Sequence, residues 1–396
     1  MLQTMAKTFK NFIGGKWVAP STGRYFPDRN PADTDDVIGR FPESGAADVA
    51  AAVRAAQGGF EQWSRTPAPL RGEVLRRVGD LLVARKEEIA HAMTREMGKV
   101  LAETRGDVQE GIDTAYYAAT EGRRLFGRTV PSELRRKWAM TIRRPIGVCG
   151  LITPFNFPMA IPTWKAFPAL LCGNSVILKP SEDVPHTVHL LVEILLEAGL
   201  PDTVIQLVHG GEAAGRALVA HPGVPVISFT GSTATGAAIG EVCGRMHKRL
   251  SLEMGGKNAM IVMDDADLAL ALDGVLWGAF GTTGQRCTAT SRLIIHRAVH
   301  DRFVARVVEA ANKLVLGDGR EPRTQVGPLI HAAARDKVEQ YLDPAVVQGA
   351  QVACGGSRPR GTRTATGFFY RPTVIVGVKP GSRLATEEIF GPVLSV

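Results

Sequence analysis

Cys287 is the residue in this sequence whose neighbours best suit nucleophilic chemistry. It lies in the segment GTTGQRCTAT, with Arg286 before it and Thr288 after it. A cation and nearby backbone N–H groups lower the pKa of a thiol, and the thiolate is the nucleophilic form. Most intracellular cysteines are inert core residues, so an ordinary buried cysteine is the alternative. A catalytic role for Cys287 therefore requires partners elsewhere in the chain.

Two polar residues at predicted strand ends are candidate partners. Asn156, in ITPFNFP, follows a strand and can donate its side-chain amide to a developing oxyanion. A turn or helix-capping asparagine is the alternative. Glu253 ends the strand LSLE and precedes two glycines, which makes it a candidate general base. An exposed acidic residue at a strand end is the alternative for Glu253.

The segment PVISFTGSTATG is a candidate phosphate-binding turn. A predicted buried strand, 226–229, passes through residues 231–236 directly into a helix. The unpaired N–H groups and positive dipole at a helix start suit a pyrophosphate. The segment does not match GxGxxG, so an ordinary strand-to-helix connection without a ligand is the alternative.

The segment SVILKPSE places a second polar pair at a strand end. Lys179 can donate to ribose hydroxyl groups, and Glu182 can accept from a 2′-hydroxyl. A carboxylate there would repel a 2′-phosphate, which favours NAD over NADP. A pair of ordinary surface charges is the alternative.

The elements that must position these residues indicate an α/β fold. Residues 9–40 are predicted as strands and turns, and residues 46–127 as helices. From residue 146, short apolar strands alternate with helices, which predicts a doubly wound parallel sheet with ligands at its carboxyl ends. A second α/β set begins at residue 258, so a boundary is expected near residues 253–256.

Composition and charge exclude several classes of protein. Hydrophobic residues make up 45% of the chain, and the formal charge of +8 is scattered rather than clustered, which argues against nucleic-acid binding. The five cysteines form no CxxC pair and the histidines no HxxxH pair, so neither a disulfide framework nor a metal site is predicted. No signal peptide or membrane-spanning run is evident, which predicts a cytoplasmic protein.

Six segments, in this order, resemble the aldehyde dehydrogenase superfamily: TPFNFP, LKPSE, FTGSTATG, LEMGGK, GQRCTA and EEIFGPV. The resemblance extends from about residue 10 to the last residue. It implies a doubly wound NAD-binding domain, a second α/β catalytic domain and a small oligomerisation arm. The implied bounds are 1–124 and 146–255 for the NAD-binding domain, 125–145 for the arm and 256–396 for the catalytic domain.

The resemblance also implies roles for individual residues. Cys287 corresponds to the nucleophile, Glu253 to the base and Asn156 to the oxyanion donor, while Lys165 would serve a proton relay or contact the cofactor. The implied cofactor is NAD, with NADP as the alternative. Its implied binding residues are Thr153, Phe155, Lys179, Ser181, Glu182, Gly211, Gly231, Ser232, Gly236, Glu388 and Phe390.

The implied reaction is oxidation of an aldehyde to an acid through a cysteine thioester. The segments ETRGDVQEGID and EGRRLFGRTVPSE resemble bacterial semialdehyde dehydrogenases, including those acting on 2-oxoglutarate semialdehyde. Arg286 or Arg105 would pair with a substrate carboxylate; alternatively, Arg286 only lowers the pKa of Cys287. The full set of expected substrate residues is Arg105, Gln109, Trp164, Arg286 and Thr288. Helical spacing places Arg105, Gln109, Ile112 and Tyr116 on one face of a predicted helix, roughly residues 100–125. Ordinary packing of that face is preferred over a substrate-lining role.

Two further expectations concern the end of the chain and its assembly. The sequence stops at GPVLSV, within a predicted buried strand, whereas members of the superfamily continue beyond this point. We therefore expect an incomplete catalytic domain, an exposed edge at PSELRRKWAMTIRRP and poor solubility or low activity. A complete chain would form a homodimer or homotetramer. A CoA-acylating relative, which Glu253 argues against, and an inactive NAD-binding fragment are the alternative functions.

Overall fold

The computed structural model describes residues 6–347, 349–361 and 364–396. Its strands are β1 (Asn11–Ile13), β2 (Lys16–Val18), β3 (Tyr25–Arg29), β4 (Val37–Pro42), β5 (Arg128–Pro131), β6 (Trp138–Thr141), β7 (Val148–Ile152), β8 (Ser175–Lys179), β9 (Ile205–Leu207), β10 (Val226–Gly231), β11 (Arg249–Met254), β12 (Asn258–Val262), β13 (Thr290–Ile295), β14 (Gln351–Cys354), β15 (Thr373–Val376) and β16 (Val393–Ser395). Its α-helices are α1 (Ala46–Trp63), α2 (Ala68–Ala84), α3 (Lys86–Met97), α4 (Leu101–Glu121), α5 (Ala160–Leu171), α6 (Pro185–Glu197), α7 (Glu212–Ala220), α8 (Thr233–Arg245), α9 (Leu268–Phe280), α10 (His300–Lys313), α11 (Ala332–Val347) and α12 (Arg383–Thr386).

The chain folds into two compact units that are not simple halves of the sequence. The first unit contains the chain up to Asp28 together with Gly39–Ile89 and Gly106–Glu253; the second contains Arg29–Ile38, Ala90–Arg105 and the chain from Met254 onward. The sequence instead predicted residues 1–124 as part of one domain. Long-range bonds explain the difference, because Leu101 N–H donates to the Gly319 carbonyl at 3.1 Å within the second unit.

The first unit is built on a seven-stranded sheet in the order β11-β10-β7-β8-β9-β1-β2. Strands β10, β7, β8 and β9 pair in parallel, whereas β1 is antiparallel to both β9 and β2. Every residue of β7 and β8 is buried, as expected for strands covered on both faces. Helix α5 connects β7 to β8, and α6 connects β8 to β9. This arrangement confirms the predicted α/β class with a doubly wound parallel sheet.

The N-terminal helices differ in detail from the predicted pattern. Residues 70–98 have continuous helical periodicity, but the structure separates them into α2 and α3 at Arg85, whose φ of −103° and ψ of 13° end the first helix. The Arg85 guanidinium then binds Glu88 in the first turn of α3 at 2.9 Å. Side-chain periodicity continues across this break, so periodicity alone could not locate it.

Helix α4 buries a different face from the predicted one. We expected Arg105, Gln109, Ile112 and Tyr116 to share a packed face. Ile112 is buried, whereas Arg105 and Tyr116 are exposed. The Tyr116 hydroxyl donates to Asp80 at 2.9 Å, which holds its ring at the surface.

Strands β5 and β6 form a separate antiparallel hairpin in which Arg128 is opposite Thr141. All eight residues of the two strands are exposed. Gly127 precedes the hairpin at a point where a Cβ atom would overlap the Thr141 carbonyl. The hairpin lies in the region predicted as the arm, residues 125–145.

The second unit contains a five-stranded sheet in the order β12-β13-β16-β15-β14. Strands β12, β13, β16 and β15 are parallel, and β14 joins β15 antiparallel. The strand β16, which contains the last predicted apolar run, is buried between β13 and β15. Helix α10 packs Phe303 and Val307 into the core beside this sheet. No helix in the described parts of the chain is long and apolar enough to cross a membrane.

Candidate active site

Cys287 lies at the surface, in the loop between α9 and β13. Cys149, Cys243 and Cys354 are buried, and Cys172 is partly buried. Burial raises the pKa of the Cys149 thiol to about 12, so this thiol is almost entirely protonated at neutral pH. Cys287 is therefore not the inert core cysteine that was the alternative.

Asn258 fixes the backbone at the thiol-bearing residue. Its side-chain Nδ2 donates to the Cys287 carbonyl at 2.6 Å and to the Ala289 carbonyl at 3.3 Å. Asn258 begins strand β12, so a rigid element of the sheet holds the loop in place. No local pattern indicates this contact, because Asn258 and Cys287 are 29 positions apart along the chain.

The turn that leads to Cys287 has a strained backbone. Thr282 and Thr283 have φ values of 51° and 57°, which are unfavourable for β-branched residues. The surrounding structure fixes this geometry: Thr283 Oγ1 donates to the Gly327 carbonyl at 3.0 Å, and Gln285 Oε1 accepts from the Ile330 N–H at 3.0 Å. Strain that persists through several bonds is typical of functional loops.

Arg286 is buried and contacts residues of the second unit. Its guanidinium donates to Glu103 at 2.7 Å and to Thr282 Oγ1 at 2.9 Å, and it lies 4.2 Å from the centroid of the Trp277 ring. Burial lowers the pKa of Arg286, and Glu103 opposes that shift. These contacts favour a structural role for Arg286 over the expected pairing with a substrate carboxylate. The sequence did not identify Glu103 as its partner.

A small cavity of the second unit lies beside the cysteine loop and is lined by Gly256, Gly284, Arg286, Glu388 and Phe390, among others. Its formation depends on close backbone packing. Gly284, with a φ of 70°, lies so near the Gly391 carbonyl that a Cβ atom would overlap it. The structure thus brings two predicted cofactor residues, Glu388 and Phe390, next to the loop that carries Cys287.

The Glu388 carboxylate packs directly on the two glycines that follow Glu253. A Cβ atom on Gly255 would overlap it, and the Gly256 N–H points to its Oε1 at 3.4 Å. Burial raises the pKa of Glu388, while Lys257 and Lys337 oppose the shift. Gly255 therefore leaves the space that this carboxylate occupies.

In the first unit, Lys165 lies close to two other polar residues. Its Nζ donates to Ser228 Oγ at 2.8 Å. Burial lowers the pKa of Lys165 to about 8, and the negative charge of Glu253 opposes that shift. Two predicted catalytic residues, Lys165 and Glu253, thus interact electrostatically, and Ser228, which binds Lys165, was not predicted.

Lys179 and Glu182 also come together, with Nζ and Oε2 3.5 Å apart. Lys179 is buried at the end of β8, which lowers its pKa, whereas the Glu182 side chain is half exposed. A Cβ atom on Gly211 would lie 3.3 Å from the Glu182 carboxylate, so the glycine keeps space open there. Thr153 Oγ1 is buried without a hydrogen-bond partner among the described residues. Lys179, Glu182 and Thr153 are groups that can form hydrogen bonds with hydroxyls.

Strand β10 leads directly into helix α8, as the sequence predicted. Ser232 caps α8 by accepting from the Thr235 N–H at 3.2 Å, immediately after Gly231. Gly236 is buried in the first turn. The Ser181 hydroxyl, in the segment after β8, donates to Asp183 at 3.0 Å, so it forms a local turn.

The remaining predicted residues have varied environments. Asn156 is buried, at 3% exposure, and Phe155 beside it is half-buried. Trp164 and Thr288 are exposed. Gln109 accepts from Lys86 at 2.8 Å and donates to Asp113 at 2.9 Å, which favours the ordinary helix-surface interpretation. In the described parts of the chain, no group of three or more His, Cys, Asp or Glu side chains could hold a metal ion.

Comparisons with known proteins agree with this arrangement. The model of the aldehyde dehydrogenase family matches residues 17–396. The alpha-ketoglutarate semialdehyde dehydrogenase of Haloferax volcanii is 40% identical over 99% of this chain and 81% of its own length. The alpha-ketoglutaric semialdehyde dehydrogenase of Bacillus subtilis is 39% identical, with the same coverage.

Solved structures show the same fold. A betaine aldehyde dehydrogenase from Staphylococcus aureus, crystallised with NAD+, superposes with a TM-score of 0.96 at 34% identity, over 98% of this chain and 79% of its own. An NAD-dependent aldehyde dehydrogenase from Sinorhizobium meliloti gives a TM-score of 0.95 at 37% identity, over 99% of this chain and 78% of its own. The chain belongs to the aldehyde dehydrogenase family, whose members are NAD(P)-dependent oxidoreductases acting on aldehydes.

Proposed function

We propose that this chain oxidises a small aldehyde bearing a carboxylate, with 2-oxoglutarate semialdehyde as the leading substrate, and that NAD accepts the hydride. The observation that carries the chemistry is the exposed Cys287 on a strained loop held by Asn258. The substrate class is supported by relatives at 40% and 39% identity that are named for this semialdehyde.

In the proposed mechanism, the Cys287 thiolate attacks the aldehyde carbon and forms a carbon–sulfur bond. The Asn156 amide and the Cys287 N–H donate to the resulting oxyanion. When bound, NAD supplies the hydride acceptor for that carbon, which leaves a thioester on Cys287. Glu253 then takes a proton from water, the water oxygen attacks the thioester carbon, and the thiolate leaves.

The cofactor residues follow from the pairs described above. Lys179 and Glu182 would hold the adenosine ribose, supported by the space left at Gly211. The Glu182 carboxylate would repel a 2′-phosphate, which favours NAD over NADP. The other proposed cofactor residues are Thr153, Phe155, Ser181, Gly231, Ser232, Gly236, Glu388 and Phe390.

Arg105 is the proposed partner of the substrate carboxylate, since its side chain is exposed on α4. A guanidinium suits bidentate recognition of a carboxylate. Arg286 is not proposed as a substrate-binding residue, because the Glu103 carboxylate already neutralises its charge. Trp164 and Thr288, both exposed, are the other proposed substrate residues.

The homodimer or homotetramer and the cytoplasmic location remain proposals. Exposed apolar side chains on the β5–β6 hairpin, including Val130, Trp138 and Met140, support an assembly in which the hairpin is covered. The hairpin also presents free backbone edges that can pair with another strand. Light scattering of the purified chain measures its mass in solution.

A kinetic panel tests the proposed reaction. NADH formation is measured with 2-oxoglutarate semialdehyde, succinate semialdehyde and a long-chain aldehyde, each with and without CoA. The proposal predicts the highest kcat/KM for a semialdehyde and no requirement for CoA. Preference for the uncharged aldehyde would refute the carboxylate assignment, and dependence on CoA would favour the acylating alternative.

A further inference from the structure

Ser228 and Lys165 form a contact between two elements of the first unit. Ser228 lies on β10, and Lys165 lies on α5, 63 positions earlier in the chain. The Lys165 Nζ donates to Ser228 Oγ at 2.8 Å, and the contact is partly buried. The hydroxyl oxygen accepts from the ammonium group, and a hydrogen bond from a charged donor is stronger than one from a neutral amine, so the contact favours the charged form of Lys165.

Burial and a carboxylate shift the pKa of Lys165 in opposite directions. Burial lowers the pKa of Lys165 to about 8, so the amine titrates near neutral pH. Glu253, whose strand β11 lies next to β10, favours the charged form. Among the described residues, Glu253 is the charged group that acts on Lys165, and Ser228 is the hydrogen-bond acceptor that holds it.

We propose that Ser228 is a positioning residue that fixes the Lys165 ammonium group beside Glu253. The inference rests on the proposed function for its catalytic consequence, because Glu253 is the proposed base. The ammonium form of Lys165 is the form that supports turnover, and Ser228 holds it through an accepted hydrogen bond. Ser228 itself touches neither substrate nor cofactor in this account.

The charge state of Lys165 provides a test that does not depend on aldehyde oxidation. Lysine labelled with ¹³C at Cε is incorporated, and the Lys165 signal is assigned as the one absent from Lys165→Arg. Its titration midpoint is then compared in the wild type and Ser228→Ala. Loss of an acceptor for a charged donor should lower the midpoint by about half to one pH unit, given partial replacement by water.

Two further variants make the comparison specific. Ser228→Thr keeps the hydroxyl and should restore the wild-type midpoint. Ser251→Ala removes an exposed hydroxyl from the neighbouring strand β11 and should leave the midpoint unchanged. An unchanged midpoint in Ser228→Ala, with the protein folded by circular dichroism, would overturn the proposal.

Kinetics complete the test. In Ser228→Ala, the alkaline limb of the plot of kcat against pH should move to lower pH by the same amount as the Lys165 titration midpoint. Ser228→Thr should return this limb to its wild-type position. A shifted midpoint without any aldehyde oxidation in the wild type refutes the proposed function while supporting the contact. Normal oxidation with an unshifted profile in Ser228→Ala refutes the positioning role alone.

Discussion

The Arg286 guanidinium donates to the Glu103 carboxylate at 2.7 Å, and the two side chains are only 5% and 16% exposed. Arg286 immediately precedes the proposed nucleophile, whereas Glu103 lies on α4. The Thr282 N–H also donates to Glu103 at 2.8 Å, so one carboxylate holds both the arginine and the strained turn. The pair therefore fixes the backbone of the cysteine loop.

Glu103→Gln should destabilise the protein because it leaves the Arg286 charge buried without its counter-charge. The expected loss is about 3 kcal/mol in the free energy of unfolding. Urea unfolding of the wild type and the variant measures it. Glu309→Gln, which breaks an exposed ion pair with Lys313, is the matched control and should cost less than about 1 kcal/mol. Equal losses in the two variants would contradict the structural role.

Arg105→Ala should weaken recognition of the substrate carboxylate. We expect KM for the semialdehyde to rise by about tenfold or more, which corresponds to the loss of about 1.5 kcal/mol from a charged hydrogen bond. KM for an uncharged aldehyde should not change. Equal increases for both substrates would show that Arg105 does not recognise the carboxylate.

Gly255→Ala should displace Glu388, since the added Cβ atom would overlap its carboxylate. Because Glu388 is a proposed cofactor residue, KM for NAD should rise by about fivefold or more, which corresponds to the loss of about 1 kcal/mol of binding free energy. Gly274→Ala is the control, because its Cβ atom would make only an ordinary contact of 3.6 Å with Met260. Unchanged cofactor kinetics in a folded Gly255→Ala variant would argue against the Glu388 assignment.

Alkylation should occur first at Cys287. A buried thiol with a pKa of about 12, such as Cys149, has a thiolate fraction on the order of a thousandfold below that of an ordinary thiol at neutral pH. Mass spectrometry after brief iodoacetamide treatment should locate the label on Cys287. Initial labelling of Cys149 would contradict the exposure described here.

His209 should make the fold sensitive to acid. It is fully buried, its two ring nitrogens lack hydrogen-bond partners among the described residues, and burial, His189 and Lys179 hold its pKa well below the usual value. Its neutral form therefore contributes stability that is complete above about pH 6.5 and falls as the pH decreases, because the unfolded chain binds the proton.

Urea unfolding at pH 7.5 and 5.5 measures this effect. The contribution of one histidine at pH 5.5 is a loss of about 1.4 kcal/mol. Between pH 7.5 and pH 5.5, the free energy of unfolding of His209→Leu should decrease less than that of the wild type. Substitution of the exposed His296 by Gln should leave the wild-type dependence in place. Identical pH dependence in His209→Leu would exclude His209 as its source.

The sequence predicted the features that depend on local pattern. Lys179 and Glu182 are three positions apart at a strand end, so their proximity follows from local geometry. The alternation of strands and helices likewise predicted the parallel sheet. In contrast, Glu103 with Arg286 and Lys165 with Ser228 are separated by 183 and 63 positions. Such pairs form because elements that are distant along the chain pack together. The periodicity of a single sequence does not indicate which distant elements will pack together.

Trapping the intermediate on Cys287 tests the central claim most directly. Glu253→Gln is incubated with 2-oxoglutarate semialdehyde and NAD, and the peptide that contains Cys287 is analysed by mass spectrometry. Without the base, the thioester should accumulate, so the peptide should gain the mass of the acyl group less one hydrogen, while Glu253→Gln with Cys287→Ser shows no gain. An unmodified Cys287 peptide from Glu253→Gln, in a preparation whose wild type forms NADH, would contradict the account.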